Sequence, residues 1–357
     1  MFSTEIAQFL KTLLTTHVKN EQESFEGPPS VRQAVLHRRG TKGYYSFSWQ
    51  TATGEKCISG TGKALPRRIS KLLKRHHAGG GLPCLSKISM SNATIGAEWK
   101  VVLSSDVRKL TSLCPRLREV SFDGFSFGAA HRKRRVKLRD FPQGMVSLSL
   151  RGCVLDMKTF FSAGPTEHGE LTTLDLGRCF FLNDDKACSG RRPSWPSLPA
   201  LERLCLEGCP FLISDALLSD VLLCCPALQV LDLEGTLLQR SADLAMIGKC
   251  LPKLRELFVG WTDVNDSTFL ALQRGSFESL STLCLAGTAV TNLGVLAVCG
   301  VCPLLRVVRV NMGRCAVRRL ENVDACTSVS FEVACFRSDN VHAVLRHEGC
   351  EHFRQRV

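Results

Sequence analysis

No run of eighteen apolar residues occurs in this 357-residue chain, so no ordinary transmembrane helix is expected. A secretory signal peptide is not expected either. Glu5 interrupts the first apolar stretch, and no small-residue cleavage site follows it. Aromatic residues make up 7% of the chain. None of them accompanies the basic segments as a stripe, which argues against a stacking platform for nucleic acid. Catalytic motifs are missing too: there is no G-x-S-x-G and no convincing Ser/His/Asp or Cys/His pairing. The nearest approach to a phosphate loop, Gly54 to Lys63, has the wrong spacing before Gly62-Lys63. It also carries Ala64 where Ser or Thr would hold magnesium. The chain therefore reads as a non-enzyme with no cofactor and no small-molecule substrate.

What is present is a soluble-type composition, 44% hydrophobic and 22% charged, with a formal net charge of +13. Such a charge permits acidic partners, but it is unevenly spread. Basic residues crowd Lys63 to Arg75 and Arg132 to Arg139, whereas Glu202 to Glu234 is acidic. Eighteen cysteines would suit a disulfide framework, yet they recur in register. Cys153, Cys179 and Cys209 each follow an L-x-L pair, and Cys114, Cys225 and Cys302 each precede a proline. Recurrence in register marks small, inward-facing packing thiols. A reducing cytoplasmic or nuclear setting fits that usage. Two further cysteine and histidine groupings carry no metal expectation. Cys299 and Cys302 have no second pair, and His342, His347, Cys350 and His352 are irregularly spaced.

The register itself is the main signal. Pro226-Ala227-Leu228, two spacers, then Leu231-Asp232-Leu233-Glu234-Gly235-Thr236 repeats as Pro199-Ala200-Leu201 through Leu204-Cys205-Leu206-Glu207-Gly208-Cys209. Anchors at Leu85, Leu117, Met145, Leu171, Leu201, Leu228, Leu254, Leu280 and Leu305 return every 25 to 32 residues. L-x-x-L-x-L at such a period specifies an α/β leucine-rich-repeat solenoid. Parallel strands line its inner curve and helices its outside. About nine repeats span residues 65–325, behind a non-repeat segment 1–64 and ahead of a capping tail 326–357. Tyr44 to Trp49 followed by Thr53-Gly54 predicts a hairpin within the first segment. In the repeats, Ser214-Asp215, Ser241, Asn265 and Thr291 are expected to cap helices, the first of them Ala216 to Cys224.

The Cys225-Pro226-Ala227-Leu228 and Cys302-Pro303-Leu304-Leu305 openings resemble the cysteine-containing repeats of the F-box/leucine-rich-repeat family. So do the endings Leu204 to Cys209 and Leu174 to Cys179. The resemblance covers roughly residues 65–320. It implies a substrate receptor of a Skp–cullin–F-box ubiquitin ligase, in which the F-box docks on the Skp adaptor and the repeats hold the target. The N-terminus departs from that pattern. It offers Glu5-Ile6-Ala7 and Phe9-Leu10 without the Leu-Pro pair that opens an F-box. A degenerate F-box and a chain without one both remain open, the latter being a stand-alone scaffold or competitor.

Strand alternation assigns the concave face. With Leu228, Leu231 and Leu233 inward, Val230, Asp232 and Glu234 point outward. The same parity turns out Asp175, Gly177, Arg203, Cys205, Glu207, Glu256, Phe258, Thr282, Cys284, Val307, Arg309 and Asn311. The expected partner-binding residues are Asp175, Arg203, Glu207, Asp232, Glu234, Glu256, Phe258, Arg309 and Trp261, the last just beyond its strand. The run Arg132, Lys133, Arg134, Arg135 and Lys137 is a candidate nuclear-import signal in a solvated loop. A protein partner is expected on the concave face; a membrane is not, and nucleic acid is disfavoured.

Overall fold

A computed structural model describes residues 33–39, 44–51, 54–61, 86–91, 100–114, 116–128, 135–161, 168–182, 195–209, 222–238, 241–273, 275–311, 330–336 and 342–347. The chain divides into two compact units, Met1–Pro196 and Ser197–Val357. The sequence reads as one array over residues 65–325. The division falls at the end of the Arg- and Pro-containing insertion Asp184 to Pro196, where an inserted stretch lengthens the repeat.

The first unit opens with β1 (Gln33–Arg39), β2 (Tyr44–Thr51) and β3 (Gly54–Thr61), an antiparallel meander. The hairpin expected near Thr53-Gly54 is the β2–β3 pair, in which Thr51 faces Gly54. β1 also pairs in parallel with β4 (Lys87–Ser91), so sheet pairing begins well before residue 65. After these come β5 (Lys100–Val101), α1 (Ser104–Leu113), β6 (Glu119–Asp123), β7 (Phe125–Ser126), a 3-10 turn at Leu138–Asp140 and β8 (Ser147–Ser149). β9 (Val154–Leu155), α2 (Met157–Phe160), β10 (Thr173–Asp175) and β11 (Phe180–Phe181) complete the unit. Strands β4, β6, β8 and β10 form one parallel ladder, and β5, β7, β9 and β11 a second.

The second unit holds β12 (Arg203–Cys205), β13 (Val230–Asp232), α3 (Ser241–Cys250), β14 (Glu256–Phe258) and α4 (Asp266–Leu270). It continues through β15 (Thr282–Cys284), α5 (Asn292–Val301), β16 (Val307–Asn311), β17 (Ser330–Phe336) and β18 (His342–His347). Strands β12 through β17 pair in parallel, and β18 closes antiparallel on β17. The ladder thus runs past residue 325. Each unit is an α/β leucine-rich-repeat solenoid, each coil giving one strand to the main ladder.

The cores follow from the repeat. Each L-x-x-L-x-L contributes three inward side chains, such as Leu201, Leu204 and Leu206, or Leu228, Leu231 and Leu233, all 3% exposed or less. Each such leucine contributes roughly 1.5–3 kcal/mol by leaving water. In the first unit, phenylalanines fill the space between the ladder and its opposite wall. Edge-to-face contacts run from Phe122 to Phe125, Phe127 and Phe141, then on to Phe160 and Phe161, which meets Trp195 in a tilted stack at 4.5 Å. Helix starts are capped largely as the sequence predicts. Asn265 Oδ1 accepts from Ser267 N–H at 3.0 Å, and Thr291 Oγ1 accepts from Leu293 N–H at 3.2 Å. Asp266 reaches forward one coil, its Oδ1 accepting from Thr291 N–H at 2.7 Å and from Gly294 N–H at 3.1 Å. Of the expected helix Ala216 to Cys224, residues 222–224 are helical. Its start and the cap Ser214-Asp215 lie outside the described residues. No helix among the described residues is long and apolar enough to cross a membrane.

Candidate functional site

In seven coils among the described residues a tight turn follows the strand and holds one residue at positive φ. Gly124, Gly152, Gly208, Gly235 and Gly287 occupy this place with φ of 64° to 73°, and so do Arg178 at 57° and Trp261 at 56°. Glycine enters this region without penalty; an L-residue with a side chain loses about 1–2 kcal/mol. The residue after it seals the turn. Thr236 and Thr262 hydroxyls each donate to the strand carbonyl three residues back at 2.6 Å. Cys153 and Cys179 thiols donate instead to Phe122 and Leu150 carbonyls of the preceding coil, at 2.9 and 3.0 Å. The in-register cysteines are therefore buried packing and turn-sealing groups. The eleven cysteines from Cys114 to Cys302 whose side chains are described are free thiols.

The face of the second unit's sheet that turns away from its leucines carries three rows. Register aligns Arg203, Val230, Glu256, Thr282 and Val307 in one row, and Cys205, Asp232, Phe258, Cys284 and Arg309 in the next. Glu207, Glu234, Gly260 and Ala286 follow, two residues on in each coil. Adjacent strands bring neighbours in a row to about 4.8 Å. Arg203 is exposed, while Glu207, Asp232, Glu234, Glu256, Phe258 and Arg309 are half-buried. Four carboxylates thus share this face with two guanidinium groups. The Arg309 guanidinium sits 5.6 Å from the Phe258 ring centroid, a cation–π contact. Trp261 is 54% exposed. Its indole lies against Gly287, where an added Cβ would come within 2.5 Å of ring carbon Cδ2.

Cys284 departs from its predicted place. Alternation turns it outward, yet it is only 4% exposed. Glu234 covers it: Gly260 lacks the side chain that would meet Glu234 Oε1 at 2.9 Å, so the carboxylate leans across that strand. There it accepts from the Cys284 thiol at 2.9 Å. Burial, and then the Glu234 charge, push this thiol well above its ordinary pKa. On the neighbouring strands, Cys205 Sγ donates to Asp232 Oδ2 at 3.4 Å. Ligand atoms of Cys205, Glu207 and Asp232 lie within 4.8 Å of one another, a grouping of metal-ligand types that the sequence spacing does not reveal. His342 and His347 stand at opposite ends of β18, while Cys350 and His352 lie outside the described residues.

Asp175, the remaining expected contact residue, belongs to the first unit. There it faces Arg151, whose Nη1 approaches its Oδ2 at 3.4 Å. That unit's open face is hydroxyl-rich, and two of its carboxylates are ion-paired. Lys87 bridges Glu119 at 2.8 Å, and Ser121 donates to Asp123 at 3.2 Å. Burial raises the Asp123 pKa, a trend its serine partners and Arg151 oppose and nearby Asp175 reinforces.

The basic run also differs from a solvated loop. Arg135 is 7% exposed and ion-paired with Asp156, itself 5% exposed. The Thr159 hydroxyl donates to the same carboxylate. A buried pair of this kind is part of the core rather than a ligand for a transport receptor. Lys137 is half-buried, its N–H donating to Asp140 at 2.8 Å. Arg132, Lys133 and Arg134 lie outside the described residues.

The chain matches no family model and no curated protein sequence. Solved structures of similar shape include internalin C2 of Listeria monocytogenes, with a TM-score of 0.40 at 15% identity, covering 66% of this chain and 84% of that one. Internalin F from the same organism gives 0.32 at 12% identity, covering 64% and 68%. A yeast Rad7–Elc1 complex gives 0.35 at 15% identity, covering 70% and 74%.

Proposed function

We propose that this chain is a protein-recognition module that holds its partner on the open face of the second unit's sheet. The observation that carries the reading is the half-exposed set Glu207, Asp232, Glu234 and Glu256 on a chain of net charge +13. Charge opposite in sign to the whole is concentrated on the face of the second unit's sheet that turns away from its leucines. Rigid strands fix its register, and complementary charge supplies selectivity and association rate. Catalysis plays no part in the proposal: the module brings a partner into place.

The finer reading is that the held partner is a ubiquitination target and the chain a substrate receptor of a Skp–cullin–F-box ligase in cytoplasm or nucleus. Its support is the sequence resemblance of the repeats, in which Leu113 to Cys153 is most like F-box/LRR-repeat protein 12. The stand-alone scaffold is favoured by a specific observation: Gln33–Arg39, Tyr44–Thr51 and Gly54–Thr61 form strands β1 to β3, whereas an F-box is a bundle of helices. Binding of the full chain to purified Skp-type adaptor decides between them. Adaptor binding that is lost on deleting residues 1–32, which precede β1, supports the ligase reading. No binding by the full chain leaves the scaffold.

A further inference from the structure

We infer that Trp261 anchors a docking site for an extended polypeptide bearing lysine or arginine, at the corner of the open face next to Glu234. The inference rests on the proposed role of that face and assigns it a chemistry. Its starting point is the turn position shared by seven coils. Five carry glycine, the residue that the left-handed conformation favours, whereas Trp261 puts the bulkiest side chain there. A large side chain at positive φ is a genuine outlier. Such residues persist only where their surroundings hold them, and they concentrate at ligand sites.

The surroundings do hold this one. Trp261 N–H donates to Ala286 carbonyl at 2.7 Å, and the Thr262 hydroxyl ties the same turn to Val259 carbonyl at 2.6 Å. The indole rests on Gly287, which has positive φ and no space for a side chain beneath the ring. Over half of the side chain nonetheless remains exposed. A ring fixed beneath and open above loses little freedom on binding, the property of an interface anchor.

Its neighbours choose the occupant. Gly260, immediately before Trp261, lies beneath the Glu234 carboxylate. Asp232 and Glu256 follow on the rows alongside. Tryptophan attracts cations through its ring face more strongly than tyrosine or phenylalanine. An aromatic face beside carboxylates therefore suits a cationic side chain and repels phosphate. The Arg309–Phe258 contact is the same pairing made internally. In an extended peptide, alternate side chains fall on one side, so several cations would reach the carboxylate rows together.

The test uses the full-length chain and two labelled synthetic peptides, one alternating lysine with serine and the other glutamate with serine. Trp261→Gly installs the residue of the five sister turns, and Trp261→Asn keeps one that tolerates this conformation. Glu234→Gln probes the face, and Arg178→Gly controls for the turn itself. The lysine peptide is expected to bind and the glutamate peptide not. Both Trp261 variants should melt normally and lose about tenfold or more in affinity, the loss typical of an anchor, and Arg178→Gly should lose none. Failure of the lysine peptide to bind, preference for the glutamate peptide, or undiminished binding by both Trp261 variants would overturn the inference. If the Trp261 variants bind normally while Glu234→Gln is weakened, the anchor is wrong and the face reading survives. If none of these variants weakens binding, both fall.

Discussion

Glu234 accepts a hydrogen bond from the thiol of Cys284 at 2.9 Å, fifty residues along the chain. The contact spans the intervening strand β14, over Gly260, and joins the acidic face to the sheet beneath it. Burial first, and then the Glu234 charge, keep the thiol protonated. Glu234→Ala removes cover, charge and acceptor at once. Iodoacetamide should then modify Cys284 in the native protein severalfold faster, with Cys302 unchanged, as read by mass spectrometry. Equal rates at Cys284 in both proteins would show that Glu234 does not shield it.

Burial pushes the Cys114 and Cys302 thiols up to about 12 from an ordinary value of 9.0. Above pH 9 the unfolded chain releases these protons while the folded chain keeps them. Stability from the two groups is therefore full below pH 9 and falls as pH rises toward 12. At pH 10 each thiol accounts for a loss on the order of 1 kcal/mol. Urea unfolding at pH 8 and pH 10 should show a shallower decline for the Cys114→Ala/Cys302→Ala double variant than for the parent. Parallel declines would contradict the assignment.

Arg135 and Asp156 form a buried ion pair in the first unit. Removing one partner strands the other charge, so Arg135→Ala should cost about 3–5 kcal/mol. Replacing both by apolar residues, as in Arg135→Met/Asp156→Leu, should cost much less. Denaturant midpoints of the three proteins check this, and a mild effect of Arg135→Ala would restore the solvated-loop reading.

Gly248 sits within α3, where alanine ordinarily adds about 1 kcal/mol of helix stability. Here an added Cβ would overlap the Ser276 carbonyl of the next coil. Gly248→Ala should instead destabilise by about 1–3 kcal/mol through overpacking. A rise in melting temperature would refute the close approach.

Much of this architecture was legible because its determinants are local and repeated. Alternation around Leu231 or Leu257 decides which side chains are buried, and a polar residue before an apolar run marks the caps at Asn265 and Thr291. What escaped depends on distant partners. Parity turns Cys284 outward; its thiol is bonded by Glu234, two coils away, and the Arg309–Phe258 contact joins the strands on either side of it. Composition makes Arg135 part of a basic run, and only Asp156 turns it into a core residue. Trp261 was visible as an aromatic past its strand. Its turn conformation emerges only when its coil is aligned with the five that carry glycine. Asp175 was grouped with the acidic residues by parity alone, and the structure gives it Arg151 in a separate unit.

On the proposed reading, a protein partner sits on the open face of the second unit. A photo-crosslinking amino acid placed at Thr282, half-exposed on that face, tests it directly when compared with one at Lys249, exposed on α3. In cells expressing the full chain, the Thr282 probe should give a discrete protein adduct. The added Glu234→Lys/Glu256→Lys charge reversal should abolish it, and the Lys249 probe should give none. An adduct from Lys249 alone, or a Thr282 adduct indifferent to charge reversal, would contradict the account.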